Sequence, residues 1–175
     1  MNSSTRDPIK NGVNIHKLAE IASTMKAEPA RALLKFKAHT RWIDGAYSET
    51  KVRQFTVKSD EPEQLLGKNQ YPNPVEAVLA ALGSCLAVGF AYSAALRGIN
   101  LESLEIEVQG DLDLQGFLGI SDKVRPGYQN IRVGCRIKSD APQEKLEQLL
   151  EYVQQTSPVL DIIRNPLPVT LTLEK

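Results

Sequence analysis

Two cysteines, Cys85 and Cys135, are the side chains here best suited to nucleophilic or redox chemistry. Cys85 lies within Ala80-Ala81-Leu82-Gly83-Ser84-Cys85-Leu86, which Tyr71-Pro72-Asn73-Pro74-Val75-Glu76 introduces, and no charged side chain occurs between Glu76 and Arg97. A helix of that composition must be buried nearly all round. Cys85 is therefore either a small core residue or a sulfur held at a sheltered site. The thiolate is the reactive form, and a free cysteine, with a pKa of about 8.5, needs a cation or dipole to reach it at neutral pH. Arg53 shares strand parity with Phe55 and Val57, so it is expected to point to the apolar side. A guanidinium there needs an anion, and Glu76 or the Cys85 thiolate could supply one. Arg41 alternates with Lys35, Lys37 and His39 on a solvated face. Glu76 and Cys85 are nine residues apart, which at about 100° per residue sets them on opposite faces of a regular helix. Contact between them would need an irregular helix start or a partner subunit. Cys135 shares a face with Ile131, Val133 and Ile137 and reads as core.

Other chemistries find little support. His16 and His39 have no His, Cys or carboxylate partner at metal-ligand spacing. No glycine-rich nucleotide loop or GxSxG motif occurs, so no cofactor is expected. The 21 basic and 21 acidic residues balance, giving no field to attract nucleic acid or a membrane surface. Two cysteines make no disulfide framework and no apolar signal segment follows Met1, so a reducing cytoplasm is the expected location. Ala77 to Leu96 has about the ~20 residues a membrane span needs. Its Ala, Gly and Ser content and the lack of basic clusters at its flanks favour a buried core helix instead.

The elements that must position Cys85 follow from periodicity. Residues 1–13 are polar and expected to be loose. Ile15, Leu18, Ala19, Ile21 and Ala22 keep a helical period after Asn14, and Pro29 ends it. Leu34, Phe36, Ala38 and Trp42 mark a half-buried strand, Asp44-Gly45 a hairpin turn, and residues 47–58 a second strand. Ser59 to Pro72 is a loop delivering the chain to the long helix. Leu104-Ile106-Val108 and Ile131-Val133-Cys135-Ile137 make two more strands. Asp140 is expected to cap a helix with Pro142 in its first turn, striped by Leu146, Leu149, Leu150 and Val153. Ser157-Pro158 caps and starts a short helix, and Val169-Leu171-Leu173 makes a last strand. The order β-β-α-β-β-α-α-β predicts an α+β domain with antiparallel strands wrapping two main helices. Trp42 is expected to anchor a core or a dimer, Tyr92 to be packed, and Asp161 with Arg164 to form a surface pair.

Asn73-Pro74-Val75-Glu76 followed by Ala80 to Cys85 resembles the signature of the OsmC/Ohr superfamily. Ser157-Pro158-Val159 and Asn165-Pro166-Leu167-Pro168-Val169 resemble its C-terminal end. The likeness covers roughly residues 32–174, so residues 1–31 read as an extension with a short helix and 32–175 as the OsmC-like domain. It implies an intertwined homodimer with sheets around two central helices, and thiol chemistry on organic hydroperoxides at the subunit interface. It also implies Cys85 as the nucleophile, activated by an arginine from the N-terminal strands and a glutamate after the Asn-Pro turn. Arg53 and Arg41 compete for the arginine role without either matching the family position cleanly, and the candidate catalytic set is Cys85, Arg53 and Glu76. In the peroxidase branches a glutamate directly follows the proline, where this chain has Val75, and Glu76 stands one place later. Their second cysteine falls where this chain has Ser157. A serine cannot close the disulfide. The first reading is thus a single-cysteine peroxidase resolved by an external thiol or redoxin. The alternatives are a non-peroxidatic protein binding a small apolar or electrophilic ligand in the dimer pocket, and a structural role.

Overall fold

In the computed structural model, which describes residues 8–174, the chain opens on a small hairpin. Strands β1 (Ile9–Lys10) and β2 (Val13–Asn14) pair antiparallel across Asn11-Gly12, both at positive φ. Residues 9–14 are therefore ordered where loose chain was expected, and residues 1–7 lie outside the described ones. Helix α1 (Ile15–Ala27) follows as its period predicts, and Pro29–Ala32 adds one 3-10 turn.

The described residues form two compact units, Lys17–Ala80 and the remainder. The first unit holds a three-stranded antiparallel sheet in the order β3 (His39–Asp44), β4 (Tyr47–Val52), β5 (Phe55–Ser59). Two expectations fail here. Residues 33–38 are not a strand, and Phe36 is 83% exposed. The single strand over 47–58 is in fact two, because the chain turns at Arg53 with φ of 53°. Parity cannot be carried through a turn, so the inward orientation expected of Arg53 does not hold.

Helix α2 (Pro74–Leu96) starts in this unit and runs on, uninterrupted, into the other. By length and composition it could cross a membrane. Its Leu82, Leu86, Phe90 and Ala94 instead build the core of the second unit, together with Ile99, Leu149, Val153 and Leu160. There β6 (Leu101–Asp111) pairs antiparallel with a later strand, β7 (Asn130–Ser139), across an excursion holding the one-turn helix α3 (Leu114–Phe117). Leu104, Ile106 and Val108 with Ile131, Cys135 and Ile137 lay their alternating face on that core. Helices α4 (Gln143–Thr156) and α5 (Pro158–Arg164) close the unit. Pro142, not Asp140, occupies the cap position of α4, and no side chain caps it. Its missing N–H suits a place where no intrahelical donor is needed. The expected last strand is absent: Leu171 and Leu173 are 88% and 93% exposed, since an edge segment without a neighbour has no ladder to join. Antiparallel sheets packed with helices make the α+β class plain.

Candidate active site at Cys85

The sulfur owes its position to two helices that approach closely. On α2, Gly89 follows Cys85 by one turn on the same face, and on α4, Val153 precedes Ser157 by the same interval. A Cβ at Gly89 would lie 3.2 Å from Val153 Cγ1, so a larger residue would push the end of α4 outward. With Gly89 in place, Ser157 reaches Cys85, and Sγ and Oγ stand 3.3 Å apart. Cys85 is half-buried, whereas Ser157 is only 4% exposed.

Ser157 joins α4 to α5 and is held on three sides. Its N–H donates to Val153 O at 3.0 Å and its carbonyl accepts the Asp161 N–H at 3.0 Å. Its hydroxyl oxygen accepts the Leu160 N–H at 3.4 Å, which makes it the cap of α5 with Pro158 in the first turn. This is the cap that the Ser-Pro pair predicts.

Cys135 sits on β7 opposite Ile106, and burial pushes its thiol pKa up. It lines an apolar recess of about 160 Å³ with Leu86, Phe90, Leu150 and Leu160, and Arg164 at the rim. Both thiols are free. A raised pKa in apolar surroundings is what an inert packing cysteine has.

Glu76 and Arg53 have other local partners. The Glu76 N–H donates to Asn73 Oδ1 at 2.8 Å, and Glu76 Oε2 accepts the Asn73 N–H at 2.9 Å. That reciprocal pair is a capping box, and Pro74 occupies the first helical position. Because α2 is regular from its first turn, Glu76 and Cys85 do face opposite sides of it. Arg53 is exposed, its guanidinium 5.2 Å from the centre of the Phe55 ring. Among the described residues no group of three His, Cys, Asp or Glu side chains could hold a metal ion.

Trp42 is mostly exposed and its Nε1–H donates to Gly45 O at 2.9 Å, so it is no core residue of the single chain. Tyr92 is half-exposed rather than packed. Asp161 and Arg164 do not pair: Asp161 Oδ1 accepts from Asn165 Nδ2 at 2.8 Å and Arg164 Nη2 donates to Gln154 Oε1 at 3.3 Å.

One residue that sequence reasoning missed organises the approach to α2. Asp60 is 2% exposed, and its carboxylate accepts N–H groups of Glu61 at 2.9 Å, Lys68 at 3.0 Å and Gln70 at 3.2 Å. Burial opposes its charge, yet the N–H groups of Glu61, Gln70 and Lys68 outweigh burial and hold its pKa below the usual value. Gly67 closes the same loop, where a Cβ would meet Glu61 O at 1.8 Å. Beyond the loop Tyr71 stacks on Tyr47 at 5.6 Å, with Lys58 Nζ 5.3 Å from the Tyr71 ring centre. Hydrogen bonding to Tyr47, then to Tyr71, pushes the Lys58 pKa up to about 12. The chain thus enters Pro72-Asn73-Pro74 from a fixed point. A glycine seven residues after an acidic residue was the available signal, and it reads equally well as an ordinary polar loop.

A half-buried thiol beside a buried hydroxyl, with no redox partner sulfur bonded to it, can accept an oxygen atom from a small oxidant and hold it. Known proteins resemble the chain in sequence family and in fold. The sequence model of the OsmC-like protein family matches residues 67–172. An OsmC-like protein from Mycoplasma pneumoniae superposes with a TM-score of 0.66 at 16% identity, covering 75% of this chain and 88% of its own. An organic hydroperoxide resistance protein OsmC from Legionella pneumophila gives 0.58 at 17%, covering 75% and 90%. An organic hydroperoxide resistance protein from Elizabethkingia anophelis gives 0.56 at 16%, covering 75% and 89%. No curated protein matches the chain in sequence.

Proposed function

Because the chain belongs to the OsmC-like protein family, we propose that it reduces organic hydroperoxides through Cys85 alone, with an external thiol completing the cycle. The observation that carries this reading is the 3.3 Å approach of Ser157 Oγ to Cys85 Sγ, at the position where the peroxidase branches of the family carry their second cysteine. The Cys85 thiolate attacks the terminal oxygen of ROOH, the O–O bond breaks, and RO⁻ takes a proton to leave as ROH. Cys85 is then a sulfenic acid. Ser157 cannot condense with it to a disulfide, so a small thiol or redoxin attacks the sulfur, releases water and forms a mixed disulfide. A second thiol frees Cys85 and carries away the oxidised pair. The Legionella and Elizabethkingia proteins, named for organic hydroperoxide resistance, favour this substrate class. A reducing compartment, the cytoplasm, would supply the thiol.

The working unit in this reading is a homodimer. Helix α2 leaves Val88, Tyr92 and Leu96 exposed along one face, and Leu33, Leu34, Phe36 and Trp42 are exposed too. Among the described residues strand β7 pairs with β6 alone, and beside it runs the recess lined by Val133, Cys135 and Leu150. The uncovered Val169-Thr170-Leu171-Thr172-Leu173 of a second copy has the alternation to fill that edge. A second copy is also the route by which Arg53 and Glu76 would reach the sulfur as activating groups. Residues 1–31 are then an extension of the 32–175 domain, fastened where Asn11 Nδ2 donates to Ile99 O at 3.0 Å and Leu101 N–H to Asn11 Oδ1 at 3.0 Å.

One observation favours a second reading, a non-peroxidatic protein binding a small ligand in the dimer pocket: the Glu76 carboxylate already serves its own helix cap. Hydroperoxide consumption by the wild-type protein, Cys85→Ser and Cys135→Ser, with a dithiol as reductant, separates the two. Turnover lost in Cys85→Ser and kept in Cys135→Ser supports the peroxidase. Wild-type turnover no faster than the dithiol alone supports the binder.

A further inference from the structure

We infer that Ser157 donates its hydroxyl hydrogen to Cys85 Sγ and favours the thiolate, so that the place of the missing second thiol holds a donor to the first. The inference rests on the reading of Cys85 as the reactive thiol. A hydroxyl has one hydrogen and two lone pairs. Ser157 is 4% exposed, so bulk water hardly competes for them. Its oxygen accepts the Leu160 N–H at 3.4 Å, which directs a lone pair toward α5. Val153 O and the Asp161 N–H occupy its backbone groups. Among the described residues the acceptor left for the hydroxyl hydrogen is Cys85 Sγ, 3.3 Å away.

The direction of this bond follows from the sulfur. A thiol is a weak donor and a weak acceptor, whereas a thiolate is a full negative charge. A donor aimed at sulfur therefore favours the anion over the thiol, and burial on the Ser157 side reduces screening of the bond.

The charged and titratable groups of the neighbouring elements have partners of their own. Helix α2 has no charged side chain between Glu76 and Arg97. On α5, Asp161 bonds Asn165 and Arg164 bonds Gln154, and on α4, Glu151 accepts from Gln155. Between β6 and β7, Arg132 pairs with Asp111, Arg136 with Glu105 and Glu107, and Lys138 with Glu102. The Cys135 thiol, pushed up by burial, is uncharged at neutral pH. This leaves the hydroxyl as the polar group of the second unit that meets the sulfur directly.

The test is the rate of Cys85 alkylation by iodoacetamide between pH 5 and 10, in the full chain carrying Cys135→Ser so that a single thiol reports. Ser157→Ala is expected to move the inflection up by about one pH unit, lowering the rate near pH 6.5 about tenfold and leaving the alkaline plateau unchanged. Ser157→Thr keeps the hydroxyl and should keep the inflection. Ser157→Gly preserves most of the helix cap without a donor, and should follow Ala. An inflection unmoved by Ala and Gly, or an effect confined to the plateau, overturns the inference and makes Ser157 a packing and capping residue. The assay contains no hydroperoxide, so it can fail while the peroxidase reading stands, and the reverse.

Discussion

A sulfur atom in place of the Ser157 oxygen would stand at the same point, 3.3 Å from Cys85 Sγ. Closing that gap to a disulfide bond of about 2.0 Å takes roughly an ångström of movement, within the reach of side-chain rotation and a small shift of α5. Ser157→Cys is therefore predicted to form an internal disulfide with Cys85 once a stoichiometric hydroperoxide is added. Thiol titration should show two of the three sulfhydryls lost together and recovered with dithiothreitol. Three free thiols, or one lost alone, would mean that the two side chains do not meet in solution. Much of this pair was legible in the sequence. Ser157-Pro158 is a cap signal with a local mechanism, and an apolar, uncharged helix isolates Cys85 unmistakably. Arg53 was misplaced because alternation was counted across a turn that carries no glycine or proline to announce it. Asp60 was missed because burial of a carboxylate depends on three backbone donors that no side-chain pattern encodes.

At the scale of elements, the loop from Asp60 to Pro72 is the part of the fold whose stability is tied to one ionisable group. Its pKa lies below the unfolded-chain value of about 3.9, so its contribution is fully present above about pH 4 and is lost as pH falls through the folded value. Asp60→Asn is predicted to lower Tm by about 5 °C at pH 7, with the difference from wild type shrinking as both are acidified below pH 4. Thermal unfolding followed by circular dichroism checks it; a constant difference across that range would remove the carboxylate from the account. Strands β6 and β7 followed their sequence alternation closely, because each buries one face on the shared core. The long helix departs from the burial on all sides expected of it: in the single chain Leu82, Leu86, Phe90 and Ala94 bury one face on that core, and Val88, Tyr92 and Leu96 stay exposed on another. The segments at 34–38 and 169–173 carry the same alternation without forming strands. A strand is completed by its neighbour, and among the described residues of a single chain neither segment has one.

Those uncovered segments bear on assembly, at the scale of the whole molecule. A chain with Leu33, Phe36, Trp42, Leu171 and Leu173 all largely exposed presents more apolar surface than a stable monomer usually keeps. The proposed dimer covers the tail and the open edge of β7 in one step. Light scattering should then give twice the 19.3 kDa of one chain, and Leu171→Asp with Leu173→Asp should shift the mass toward the monomer. A wild-type protein that stays monomeric at tens of micromolar, or a double variant that remains dimeric, contradicts this use of the tail.

The central claim is that Cys85 is an oxidant-accessible thiol whose oxidised form persists until another thiol arrives. Its most direct test is mass spectrometry after one equivalent of an alkyl hydroperoxide in the presence of dimedone. The account predicts rapid dimedone labelling of Cys85, none of Cys135, and loss of the label when a small thiol is added first. Cys85 recovered unlabelled and unoxidised while the hydroperoxide remains would contradict it.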